Sequence, residues 1–100
     1  MTMRRTVVRY VVKPGLEERN AELVRAVYAE LAEVRPPGFR YVTYRLDDGR
    51  SFVHIAEQDG DGDNPLPQLA AFREFQAGAR ERCETGPEVS QAEIVGRFDG

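Results

Sequence analysis

The tetrapeptide Asp47-Asp48-Gly49-Arg50, set between two runs of strand composition, constrains the fold of this chain more than any other feature. Asp-Gly between alternating apolar residues is a strong hairpin signal, because Gly accepts the positive φ that a turn matched to strand twist requires. It predicts that residues 39–46 and 51–57 are adjacent antiparallel strands. Before them, Thr6-Val7-Val8-Arg9-Tyr10-Val11-Val12 is dense in β-branched residues and halts at Lys13-Pro14-Gly15, as a strand and turn would. Between this strand and the hairpin, Leu16, Leu23, Val24, Val27, Leu31 and Val34 recur at helical spacing up to the stop at Pro36-Pro37-Gly38.

After the hairpin, Leu69, Phe72, Gln76, Ala79 and Cys83 step by three and four, which predicts a second helix closed by Thr85-Gly86-Pro87. Residues 89–98 then read as a last strand. The order is βαββαβ. Right-handed crossovers on either side of an antiparallel hairpin give the ferredoxin-like α+β fold, a four-stranded antiparallel sheet with both helices on one face. At 100 residues the chain is expected to be a single domain, residues 1–100.

Closing the hairpin pairs Leu46 with Ser51, Tyr44 with Val53, Val42 with Ile55 and Arg40 with Glu57 on one face. Joined with Val8, Tyr10 and Val12 and with Ala92, Ile94 and Phe98, that face is read as the floor under the helices. The other face then holds Phe39, Tyr41, Thr43 and Arg45 beside Phe52, His54 and Ala56, together with Val7, Arg9 and Val11. It is half apolar, and a sheet face of that kind calls for a cover. A second copy in a closed twofold dimer is the expected one.

The charge is −3, with 31% charged and 41% hydrophobic residues, and Arg is interleaved with Glu instead of forming a basic tract. These numbers fit a folded protein with no nucleic-acid partner. No apolar run approaches the roughly 20 residues of a membrane span, and the basic start Met1-Thr2-Met3-Arg4-Arg5 leads into a strand, not a signal-peptide core. With one cysteine, Cys83, the expectation is a cytoplasmic protein without a membrane partner.

Four polar residues interrupt apolar surfaces and are the candidate ligand-binding set: Tyr10 and Tyr44 from the sheet floor, Asn20 from the first helix and Gln76 from the second. A few convergent polar groups in an apolar pocket are the usual build of a small-molecule site. Asn20 equally suits local bonding near a helix start, and the tyrosines equally suit a core with hydroxyls at its rim. His54, the single histidine, is placed by the face assignment at the sheet-to-sheet interface. Asp59, Asp61 and Asp63 alternate like the start of a calcium loop, but Asn64 and Ala70 stand where the turn Gly and bidentate Glu belong, so a solvated loop is expected. Cys83 falls on the helix stripe as a small buried hydrophobe.

The element order, Lys13-Pro14-Gly15, Gly38-Phe39-Arg40-Tyr41 and Phe52-Val53-His54-Ile55-Ala56-Glu57 together resemble the dimeric α/β-barrel superfamily, and within it the antibiotic-biosynthesis-monooxygenase-like domains. The resemblance spans almost the whole chain. It implies a homodimer through the sheet face, a cavity between sheet and helices, and small-molecule chemistry without a cofactor: oxidation or isomerisation of an aromatic or polyketide-like compound. With no Trp in the chain and no His in the second helix, it departs from the oxygenase and haem-binding patterns of that family. The other function open at this point is a non-catalytic dimeric ligand-binding or regulatory module.

Overall fold

The computed structural model describes residues 3–60 and 63–100. Met1, Thr2 and, from the acidic loop, Asp61 lie outside them, and so does the calcium-type reading of that loop as a unit. Strand β1 (Met3–Val12) leads to helix α1 (Glu17–Val34), then β2 (Phe39–Arg45) and β3 (Ser51–Asp59) form the hairpin. A 3-10 turn (Leu66–Gln68), helix α2 (Ala70–Ala77), a single helical turn α3 (Ala79–Arg82) and β4 (Cys83–Gln91) follow. The sheet order is β2-β3-β1-β4, and every neighbouring pair is antiparallel. This is the ferredoxin-like arrangement.

The turn chemistry is as the hairpin residues dictate: Gly49 has φ +77°, and the Asp48 carboxylate accepts hydrogen bonds from the backbone N–H groups of Arg50 and Ser51 at 2.9 and 2.8 Å. Helix α1 begins with Glu17 and Glu18, whose charge suits a helix N-terminus, and ends at Arg35 in the left-handed region ahead of Pro36 and Pro37. Its buried residues include Leu23, Val24 and Val27, which pack with Tyr10, Val12 and Phe52 of the sheet and with Leu66, Leu69 and Phe75. No helix among the described residues is long and apolar enough to cross a membrane.

Two expectations are corrected. The hairpin register is as expected, with Tyr44 opposite Val53 and Val42 opposite Ile55, but the hairpin faces the other way. Tyr10 pairs with Phe52 and Val8 with His54, so Phe52, His54 and Ala56 join Tyr10 on the helix side, with Phe39, Tyr41 and Thr43 beside them. Val42, Tyr44, Val53 and Ile55 lie on the outer face with Val7 and Val11. Cross-strand partners share a face, and the β1–β3 register that decides this joins residues more than forty apart, beyond the reach of a local pattern.

The second correction concerns the C-terminal third. Thr85-Gly86-Pro87 lies within β4, which starts at Cys83, and residues 92–98 form no strand. Helix α2 ends earlier, at Gly78. Gly86, at φ +86°, sits where the β1–β4 register shifts, and a Cβ there would lie 2.8 Å from the Arg9 carbonyl oxygen. A glycine of this kind bulges a strand without ending it.

Candidate functional site

Between the inner sheet face and the 3-10 turn with α2 lies a cavity of about 570 Å³. Val8, Ala56, Leu66, Phe72 and Phe75 make its apolar wall, and Tyr10, Asn20, Tyr41, His54 and Gln76 also line it. The polar groups arrive from five elements: Tyr10 from β1, Asn20 from α1, Tyr41 from β2, His54 from β3 and Gln76 from α2. Their volume and chemistry match a small-molecule pocket.

Alternation along β3 turns His54 inward, and pairing with Val8 sets its ring one residue pair from Tyr10. The Tyr10 hydroxyl and His54 Nε2 are 2.6 Å apart, and Asn20 Nδ2 donates to the same hydroxyl at 3.0 Å. Asn20 is 1% exposed, and its Oδ1 accepts from Arg82 Nε at 3.1 Å. Arg82, itself buried, also donates from Nη2 to the Phe75 carbonyl at 2.7 Å and lies over the Phe75 ring, 5.1 Å from its centroid. On the far side of the imidazole, Nδ1 lies 2.7 Å from the Tyr41 hydroxyl and 3.0 Å from Thr43 Oγ1, which in turn is 2.9 Å from the Tyr28 hydroxyl.

Burial sets the protonation states. His54, 4% exposed and flanked at its nitrogens by neutral hydroxyls, has its pKa pushed down to about 4 by desolvation of the imidazolium. Desolvation likewise raises the phenols of Tyr10 and Tyr41 above their ordinary range, against the hydrogen bonds from Asn20 and Thr43 that act the other way. Burial lowers the Arg82 pKa, yet a guanidinium keeps its charge in a protein. At neutral pH the centre is thus a neutral imidazole between neutral phenols, with one buried cation beyond Asn20. Cys83, also at the cavity wall, is held as a thiol by burial.

Of the four residues singled out in the sequence, Tyr10 and Asn20 are bonded to each other and share the cavity with Gln76. Tyr44 is not with them. It lies on the outer face, 53% exposed, because the hairpin is turned over. His54, expected at the interface for the same reason, is instead at the middle of the site. Arg82 gave no sequence signal, since an Arg at the end of a helix normally faces water. What admits it is Gly78, whose missing side chain leaves room for the guanidinium: a Cβ there would sit 2.7 Å from Arg82 Nη1.

No protein-family model and no curated protein matches the chain. Solved structures do match. A Nitrosomonas europaea protein whose name assigns it to the antibiotic biosynthesis monooxygenases superposes with a TM-score of 0.76 at 18% identity, over 93% of this chain and 90% of that one. The cofactor-independent oxygenase SnoaB of Streptomyces nogalater, in a single-substitution form, gives 0.73 at 21% identity over the whole of both chains. PA3566 of Pseudomonas aeruginosa gives 0.74 at 18% identity, over 96% of this chain and 97% of that one. The chain shares the ferredoxin-like fold of the antibiotic-biosynthesis-monooxygenase structures.

Proposed function

We propose that this protein binds a flat aromatic or polyketide-like phenol or enol in the cavity and draws a proton from it through Tyr10 and His54, without an organic cofactor. The observation that carries this reading is the neutral His54 ring, held between Tyr10 and Tyr41 at the wall of an apolar cavity of about 570 Å³. Ground-state polar groups so buried are satisfied by one another, and what they offer a ligand is an organised acid–base surface in a dry site. Arg80 at the cavity wall and Arg82 behind Asn20 favour the anion that remains. That anion either adds dioxygen, the oxidising co-reactant, or is reprotonated at another carbon, giving oxidation or isomerisation. The likeness to a cofactor-independent oxygenase supports the class of chemistry and leaves the substrate to experiment.

The same reading makes the working unit a homodimer. Val42, Tyr44, Val53, Ile55, Val7 and Val11 lie on an outer sheet face with no helix of the described residues over it, and Val95 and Phe98 of the C-terminal segment stand almost wholly exposed. A second copy bringing the same face is the simplest cover for such a surface. The lone buried thiol of Cys83 suits the reducing cytoplasm.

Titration with hydroxynaphthalenes and hydroxyanthraquinones, followed by absorbance, tests the function. Wild type should bind them and shift the bound phenol toward its phenolate spectrum. Ala56→Phe, which fills the cavity, should abolish binding, while Tyr10→Phe should keep binding and lose the spectral shift. Binding without any shift in wild type would favour a non-catalytic binding module, and binding indifferent to Ala56→Phe would place the site elsewhere.

A further inference from the structure

The hydrogen bonds do not stop at His54. Beyond its Nδ1 they branch to Tyr41 and, through Thr43, reach Tyr28, a half-buried residue of α1 that lines surface grooves away from the cavity. Tyr41 lines the cavity on one side and one of these grooves on the other. Along the inner face of the sheet there thus runs an unbroken file of groups that each both donate and accept a proton: Tyr10, His54, Thr43 and Tyr28.

We propose that this file is a proton conduit, in which His54 passes a proton from the cavity to the Tyr28 groove by changing tautomer. The proposal rests on the reading of the cavity as a deprotonating site. Asn20 donates to the Tyr10 oxygen, and the conduit starts from the tautomer in which Tyr10 gives its proton to Nε2 and the ring carries its own on Nδ1. When a ligand gives its proton to the Tyr10 oxygen, the O–H bond of Tyr10 breaks and a new N–H bond forms at Nε2. The Nδ1–H bond breaks in turn, its proton forms an O–H bond on Thr43, Thr43 passes its former proton to Tyr28, and Tyr28 releases one to water. One proton enters and one leaves, no electrons change owner, and the ring stays neutral throughout. This is consistent with a ring that burial keeps from holding charge. Run in reverse, the same hops return a proton to the reacted anion, on carbon in an isomerisation or on the peroxide oxygen after dioxygen has added, and restore the first tautomer.

Solvent-deuterium exchange into an aryl 1,3-diketone, a carbon acid of suitable size, reads the conduit, because incorporation requires removal, release and return of a proton. Wild type in deuterium oxide should catalyse the exchange. Thr43→Val and Tyr28→Phe, which interrupt the file beyond His54 and leave Tyr10 and the cavity wall in place, should slow it at least tenfold with unchanged diketone affinity. Nitrogen NMR of the His54 ring should show a neutral ring in all three proteins, with the tautomer balance altered in the two variants. Equal exchange rates in a folded Tyr28→Phe protein would overturn the proposal and show that protons leave by the cavity mouth. Should Thr43→Val not fold, Tyr28→Phe decides alone. A wild type that neither binds the diketone nor exchanges it would instead refute the deprotonating site itself, a result distinct from a failure of the conduit.

Discussion

A single side chain, His54, concentrates the consequences of burial at the residue scale. Its pKa of about 4 in the folded protein lies below the ordinary 6.5 of an unfolded histidine, so below pH 6.5 the unfolded chain binds the extra proton and the folded chain does not. Stability should therefore fall as the pH drops from 6.5 towards 4 and then level off with respect to this group, a loss of up to about 3 kcal/mol at roughly 1.4 kcal/mol per pKa unit. Urea melts across that range should show the decline in wild type and a flatter profile in His54→Gln. Asn20 carries a different load. Its amide donates to Tyr10 and accepts from Arg82, so Asn20→Leu, close in volume, leaves a buried guanidinium nitrogen without its acceptor. The expected cost is about 1–3 kcal/mol. A variant as stable as wild type would mean that Arg82 finds another acceptor or reaches water.

At the scale of elements, β4 carries the least expected feature. A strand containing Gly86 and Pro87 reads locally as a helix stop, yet pairing with β1 takes up both residues through a register shift. Gly86 has a positive φ and a close backbone neighbour, so Gly86→Ala should combine backbone strain with a clash and cost about 2–3 kcal/mol. Gly15, also at positive φ but with open space around it, is the control: Gly15→Ala should cost only about 1 kcal/mol. Equal effects in thermal melts would show that the approach to the Arg9 carbonyl relaxes freely. The same comparison explains α2 and α3, where a break at Gly78 lets the chain turn Arg82 back under Phe75 and brings Cys83 to the start of the strand.

For the whole molecule, the two sheet faces divide the work. The inner face carries the polar file and the cavity, and the outer face sets Val42, Tyr44, Val53 and Ile55 beside the ion pairs of Glu57 with Arg5 and Arg40. Val53→Asp on that face should shift a dimer to monomer or aggregate, since a charge placed in a sheet-to-sheet contact loses its hydration with no partner. Sedimentation at micromolar concentration measures this, and a wild type that sediments as a monomer would end the dimer reading. Phe52, by contrast, is buried under α1, so Phe52→Asp would unfold the protein and report nothing about assembly.

What the sequence determined by itself is whatever short range decides. Asp48-Gly49 defines the hairpin and its internal register, the three-and-four spacing of Leu23, Val24 and Val27 places the buried stripe of α1, and the order of elements then leaves the ferredoxin-like sheet as the compact solution. Tyr10 and Asn20 stood out because a polar group within an apolar stripe must find a partner. Which face of the hairpin meets the helices was not decidable locally, because both faces of β2 and β3 alternate with comparable apolar content. The register of β3 against β1 settles it through backbone pairing over a long loop, and that one choice moves Tyr44 to the surface and carries His54 and Tyr41 inward. Arg82 enters the site only through a tertiary vacancy at Gly78 and through hydrogen bonds to Asn20 and Phe75, contacts that no spacing along the chain encodes.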